Sequence, residues 1–189
     1  MLPAQIYAPH IFKIVCTLHK KIKPILLNYA EMAYKEHMLN IDLITVGKMK
    51  KGPLFELQEE YQKRIRWPLS LHEIESRYSD PVTMNDDENR KIVSRLSPGA
   101  YVIVLDERGQ GLRSLDFADT LQKMQDNGAE QMQFIIGGSD GLNDTVRNEA
   151  SFLLSFGQQT WPHQMARIML LEQIYRAQQI MAGHPYHKE

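Results

Sequence analysis

Three short segments carry the residue types best suited to holding a small molecule: Leu105-Asp106-Glu107-Arg108-Gly109, the run Gly137-Gly138-Ser139-Asp140-Gly141, and Phe156-Gly157-Gln158-Gln159-Thr160-Trp161-Pro162. Each follows an apolar stretch, and ligands of open α/β sheets collect at the carboxyl ends of strands. Glycine lets a backbone approach a ligand closely. The spacing G-G-x-x-G is not the G-x-G-x-x-G of dinucleotide sites. It also lies on a late strand, and no Walker lysine follows. Taken alone, the run reads equally well as a tight strand-to-helix turn. Ser139 is not framed as G-x-S-x-G, so hydrolase chemistry has no support. His163, His184 and His187 lack the H-E-x-x-H spacing or a cysteine partner, so no metal site is expected. Asp106 and Glu107 point to opposite faces if both lie on a strand, and read as solvated end-of-strand acids.

The elements that must position these segments alternate. Residues 41–46 (IDLITV) are apolar and β-branched and end at Gly47. The spacing of Leu54, Leu57, Tyr61 and Ile65 predicts a helix over 53–66, with Pro53 in its first turn. Strands are expected at 69–74, 101–105, 133–136 and 152–156. The buried runs Tyr101-Val102-Ile103-Val104-Leu105 and Gln133-Phe134-Ile135-Ile136 suit a parallel sheet. Residues 76–85 read as a polar loop and 86–96 as a charged helix. A helix capped by Ser114 is expected to run to Asn127-Gly128. A short helix over 144–150 and a long one over 162–181 complete the pattern, which is that of an α/β sheet layered by helices. Met165, Ile168, Met169, Leu171, Ile174 and Tyr175 give the long helix a broad apolar surface, read as core or subunit interface. Arg167 and Arg176 stand nine residues apart, on opposite sides of that helix, so at least one should face a partner or solvent.

The chain has 189 residues, 43% hydrophobic and 24% charged, enough to bury a core without disulfides. Cys16 is the single cysteine, which fits a reducing compartment. No apolar run is long enough to span a membrane. The formal net charge is -1, with +3 on residues 1–37 and -4 on residues 38–189. Proteins that grip nucleic acid by bulk charge are usually basic, so any RNA binding here needs a local patch, a dimer groove or surrounding structure. Residues 1–37, with Pro3, Pro9, Pro24 and Lys20, Lys21 and Lys23, read as an upstream extension from a start codon assigned too early. The domain proper is then 38–189.

Several segments together resemble the pseudouridine N3-methyltransferases of large-subunit (23S) ribosomal RNA, small members of the SPOUT superfamily. They are Phe134 to Leu142, Leu154-Ser155-Phe156, Thr160-Trp161-Pro162-His163-Gln164-Met165-Ala166-Arg167, Leu171 to Ala177, and the tail His184-Pro185-Tyr186-His187-Lys188-Glu189. The segment 41–47 also fits. The resemblance spans 38–189 and implies a SPOUT-type parallel sheet with helices on both faces and a carboxyl-terminal trefoil knot. Periodicity does not reveal such threading. It also implies a cytoplasmic homodimer that uses S-adenosyl-L-methionine to methylate rRNA within the ribosome, without a metal or a membrane. Carried over by position, the cofactor pocket comprises Leu105, Gly137, Phe156, Gly157, Gln158, Gln159, Thr160 and Trp161. His187 and His163 are the candidate proton acceptors. Tyr186 is the residue to hold the base, and Arg176, Arg167 and Lys188 are phosphate contacts. Two alternatives stay open: a SPOUT enzyme acting on transfer RNA or a ribose hydroxyl, and a non-catalytic ribosome-binding module. A nucleotide-binding oxidoreductase is disfavoured by the glycine spacing.

Overall fold

The computed structural model describes residues 39–186; the expected extension 1–37, together with His187 and Lys188, lies outside the described residues. Five strands, β1 (Asn40–Val46), β2 (Leu69–Ile74), β3 (Tyr101–Gly111), β4 (Gln131–Ile136) and β5 (Phe152–Ser155), alternate with helices. The helices are α1 (Pro53–Arg64), α2 (Pro81–Val93), α3 (Ser114–Asp126), α4 (Asp144–Arg147) and α5 (His163–Met181). The strands form one sheet in the order β2-β1-β4-β3-β5, and every neighbouring pair is parallel. Ile136 of β4 pairs with Thr45 on one side and Leu105 on the other, so the carboxyl ends of β1 and β4 lie level, beside the middle of β3.

Strand side chains alternate between two cores, as the period of two requires. Met132, Phe134 and Ile136 join Leu43, Ile103, Phe117 and Leu121 of α3, and Ile168, Leu171 and Ile174 of α5. Ile135 faces the other way and joins Ile44, Val102 and Val104, with Ile92 of α2 and Val146 of α4. Helices therefore cover both faces, which explains the continuous apolar runs of β3 and β4.

Three sequence expectations are corrected. Helix α2 begins at Pro81, inside the expected polar loop. The Asp80 carboxylate caps it by accepting from the Thr83 N–H at 3.0 Å, and Pro81 occupies the first turn. Strand β3 runs on past Leu105 to Gly111, with a register shift between Leu105 and Gln110, both opposite Leu154. Gly109 is what permits this irregularity, because a Cβ there would lie 2.7 Å from the Leu153 and Leu154 backbone. Ser114 is not the cap of α3. Arg113 holds that position, and the Ser114 hydroxyl instead donates to Gln173 of α5 at 2.9 Å.

Helix α2 is tied back to the end of β2 through Asp87, which accepts from Ser76 at 2.9 Å and pairs with Lys91 and Arg90. Lys91, then Arg90, lower the Asp87 carboxyl from its ordinary value of 3.8 to about 2. The folded pKa is depressed, so the stabilisation is present above the unfolded value and lost as pH falls through the folded one. Acid unfolding should therefore show a component between about pH 4 and pH 2 that the Asp87→Asn variant lacks, as read by circular dichroism across that range.

Candidate functional site

The three glycine-bearing segments meet at the carboxyl edge of β4, β3 and β5. They line a cavity of about 440 Å³ together with His163 and Ala166 at the start of α5. Leu105, Gly137, Phe156, Gly157, Gln159, Thr160 and Trp161 all contribute to its wall, whereas Gln158 lies in the same loop but is not part of the lining. His163 is on the wall as well.

Each part of the wall is held from behind. A Cβ on Gly138 would lie 2.8 Å from Val46, and one on Gly137 would lie 2.8 Å from Leu142, so the glycine loop packs directly on β1 and its own return. Asn85 of α2 donates to the Gly141 carbonyl at 3.0 Å. Asn89 accepts from the Asn143 N–H at 2.9 Å. These two asparagines clamp the loop, and sequence reasoning missed them because a polar stretch conceals which of its residues turn inward. The Phe156 to Trp161 loop closes on itself. The Trp161 indole N–H donates to the Phe156 carbonyl at 3.3 Å, and the Ser155 hydroxyl both accepts from the Gly157 N–H and donates to its carbonyl. Gly157 sits at φ 112°, a conformation that disfavours any side chain.

Asp106 is not the solvated acid that its strand-end position suggests. Its side chain is 6% exposed and accepts from Arg147 Nε at 2.7 Å and from the Arg108 N–H at 2.9 Å. Burial pushes this carboxyl up, but the Arg147 bond and the Arg108 N–H outweigh it and hold the group below its ordinary value. The pair joins the middle of β3 to α4 along the cavity wall.

Arg167, expected among the phosphate contacts, is fully buried. Nη1 donates to Glu73 at 2.6 Å and Gln58 at 3.2 Å; Nη2 donates to the Thr45 hydroxyl at 2.6 Å and the Gly47 carbonyl at 2.7 Å. One guanidinium thus ties α5 to α1, β1 and β2. It stands one turn from His163, whose imidazole is pushed below its ordinary value by burial first and by the Arg167 charge second. Both effects favour the neutral form of the imidazole, the form that has a free nitrogen to accept a proton.

Tyr186 and Arg176 come together, but away from the cavity. Arg176 lies 5.0 Å from the Tyr186 ring centroid, Tyr175 meets that ring edge-on at 4.9 Å, and the Tyr186 hydroxyl donates to Glu172 at 3.3 Å. Glu172 also accepts from Arg176. None of these four residues lines the cavity that holds His163. Glu172 borders a second, more apolar cavity of about 650 Å³, which shares Leu154, Phe156 and Gly157 with the first. Among the described residues, no group of three or more His, Cys, Asp or Glu is gathered to hold a metal, and no helix is long and apolar enough to cross a membrane.

Removing the Arg167 charge should leave Glu73 without its counter-charge and with only the Met49 N–H as donor, and the buried Thr45 hydroxyl without its donor. The Arg167→Met variant is expected to lose about 3 kcal/mol in urea unfolding, the lower end for a broken buried pair because Glu73 is partly exposed. Arg167→Lys should recover only part of the loss, since a single ammonium cannot reach both fork partners.

Comparison with known proteins places this architecture. A family model described as Predicted SPOUT methyltransferase matches residues 39–187. The chain is 47% identical over 147 residues to Ribosomal RNA large subunit methyltransferase H of Rhodospirillum centenum, covering 77% of this chain and 97% of that protein. It is 43% identical over 159 residues to the protein of the same name from Bradyrhizobium diazoefficiens, covering 79% and 99%. Among solved structures, a probable methyltransferase from Bordetella pertussis Tohama I superposes with a TM-score of 0.54 at 13% identity, covering 77% of this chain and 98% of that one. A probable methylase family protein from Haemophilus influenzae Rd KW20 gives 0.51 at 11% identity, covering 80% and 72%. These two structures share the fold, and the full-length sequence matches extend the likeness to the whole described domain. The chain belongs to the SPOUT methyltransferase family.

Proposed function

We propose that this protein transfers a methyl group from S-adenosyl-L-methionine to N3 of a pseudouridine in large-subunit rRNA. In this proposal it acts in the cytoplasm on the assembled ribosome, as a homodimer whose carboxyl-terminal third is threaded as a trefoil knot. The observation that carries the reading is the cavity at the sheet's carboxyl edge, where a glycine loop, a self-closed loop ending in Trp161 and an imidazole biased toward its neutral form converge.

The residues present fit the cofactor. The cavity lies within the range of small-molecule sites, and a Cβ on Gly137 or Gly138 would collide with the groups that cradle it. Leu105 and Phe156 supply apolar walls for an adenine, and the backbone of Gly137 and of 156–161 supplies donors and acceptors. When bound, S-adenosyl-L-methionine supplies a methyl group already activated by a sulfonium charge. The protein's task is therefore chiefly alignment, which lowers a barrier without adding a reactive group. His163 accepts the N3 proton from within the same cavity, and His187 is the second candidate for that role. Tyr186 and Arg176, packed together away from the cavity of their own chain, suit a tail that serves the cavity of a second copy. Tyr186 stacks on the base, and Arg176 with Lys188 holds phosphate.

Two measurements test the proposal. Calorimetry should show saturable binding of S-adenosyl-L-methionine; absence of binding would favour the non-catalytic ribosome-binding module. Mass spectrometry of rRNA from a deletion strain should show one pseudouridine without its methyl group, restored by the plasmid-borne gene. A methyl lost from transfer RNA or a ribose hydroxyl instead would sink the assignment. Deleting residues 184–189 should abolish turnover while cofactor affinity changes by less than about threefold, because the proposed pocket lies elsewhere. His163→Gln should lower kcat by about 100-fold or more if His163 is the base, and an unaffected kcat would pass that role to His187.

A further inference from the structure

The turn after β1, residues 47–52, meets the site only through the Gly47 carbonyl and lines no part of the cavity, yet it is firmly held. Its backbone is fixed at three points. The Gly47 N–H donates to the Ile74 carbonyl at 2.9 Å, the Gly47 carbonyl accepts from buried Arg167 at 2.7 Å, and the Met49 N–H donates to Glu73 at 2.8 Å. Met49 itself is 4% exposed and belongs to the larger core. Pinning Met49 inward turns its neighbours outward, and Lys48, Lys50 and Lys51 are all exposed. Among the described residues, no ion pair engages any of the three.

The position of the turn matters as much as its charge. Thr45 pairs with Ile136, and a Cβ on Gly138 would lie 2.8 Å from Val46, so the turn follows directly on the residue against which the glycine loop packs. A Cβ on Gly47 would lie 3.1 Å from Nε2 of His163, an imidazole on the cavity wall. Three exposed lysines without an ion pair therefore sit on a turn that abuts the cavity-wall imidazole, in a domain whose residues 38–189 carry a net -4. A local cationic cluster on a rigid backbone, against an acidic background, is complementary to a polyanion and to one side of the molecule only.

We infer that the turn 47–52 is a docking site for RNA phosphates, with Lys48, Lys50 and Lys51 holding the ribose-phosphate backbone beside the nucleotide that enters the cavity. This rests on the function proposed above and adds the surface that the RNA uses. The buried Arg167 and Glu73 are positioning residues for it, since they shape the turn without touching the RNA. Contacts of this kind set register and orientation and carry no sequence information.

The test is methyl transfer to assembled ribosomes from the deletion strain, by wild type and the K48Q/K50Q/K51Q variant, over a series of KCl concentrations. All three side chains are exposed, so the variant should fold. The variant's KM should rise about 10-fold or more, and the slope of log(kcat/KM) against log[KCl] should flatten by about two to three. Its kcat at saturation and its calorimetric affinity for S-adenosyl-L-methionine should stay within about twofold. Lys123→Gln, which removes a cation paired with Asp119 on α3, should leave the slope unchanged. An unchanged KM and slope overturns the inference while the functional proposal stands. A raised KM with an unchanged slope also overturns it, in favour of a ribosomal protein contact, as does lost cofactor affinity, which would move the turn into the cofactor pocket. A wild type that transfers no methyl to these ribosomes overturns the functional proposal, and filter binding of both proteins to the same ribosomes then decides the lysines separately.

Discussion

A guanidinium with no exposed surface holds this molecule's working edge in shape. Removing a cation from water is costly unless its donors are answered; both terminal nitrogens of Arg167 find acceptors, on Glu73, Gln58, Thr45 and the Gly47 carbonyl, while its Nε is buried without a partner. Those acceptors come from α1, from β1 and its following turn, and from β2, while Arg167 belongs to the last helix. The site of the proposed chemistry depends on this, because His163 leads the same helix one turn earlier. The bond network fixes the axial position of α5 against the sheet, and so places the imidazole on the cavity wall. Buried pairs of this type contribute little net stability compared with apolar packing, and their contribution here is specificity of arrangement.

The rest of the edge is organised by a second constraint, the parallel sheet. Parallel strands bring all their carboxyl ends to one side, so loops distant in sequence become neighbours there without any special pairing. The level ends of β1 and β4 lie beside Leu105 of β3, which brings the Gly47 turn, the glycine loop and Asp106 to one edge. The outer strand β5 adds the Phe156 loop. Its pairing with β3 passes through the irregularity at Gly109, which brings the Leu154–Phe156 wall against the extended end of β3.

What the sequence disclosed followed from hydrophobic period. The strands of the sheet and the long helix announce themselves because apolar residues recur at the spacing that one or two covered faces require. Asn85 and Asn89 escaped that logic, since a buried amide and a solvated one look alike in a string of polar residues. The start of α2 escaped with them, although Asp80-Pro81 carried a cap followed by a first-turn proline. Asp106 was misjudged because its partner, Arg147, lies 41 residues away and is brought near only by the fold. Arg167 was misjudged for the same reason: a helical wheel separates it from Arg176 but does not say which of the two faces the sheet. Seven of the eight expected cofactor residues line one cavity, and in their case the family resemblance, not the periodicity, singled them out.

The two cavities share a partition. Leu154, Phe156 and Gly157 face the cavity that holds His163 on one side and the apolar space bordered by Tyr61, Leu112 and Phe117 on the other. A partition one residue thick transmits volume: an occupant that pushes Phe156 outward from one side takes room from the other. Neither space can then be filled independently of its neighbour. If the cavity of His163 takes the cofactor as proposed, a compound lodged in the apolar space would change cofactor affinity without overlapping a single cofactor atom, and bound cofactor would change the compound's affinity by the same factor.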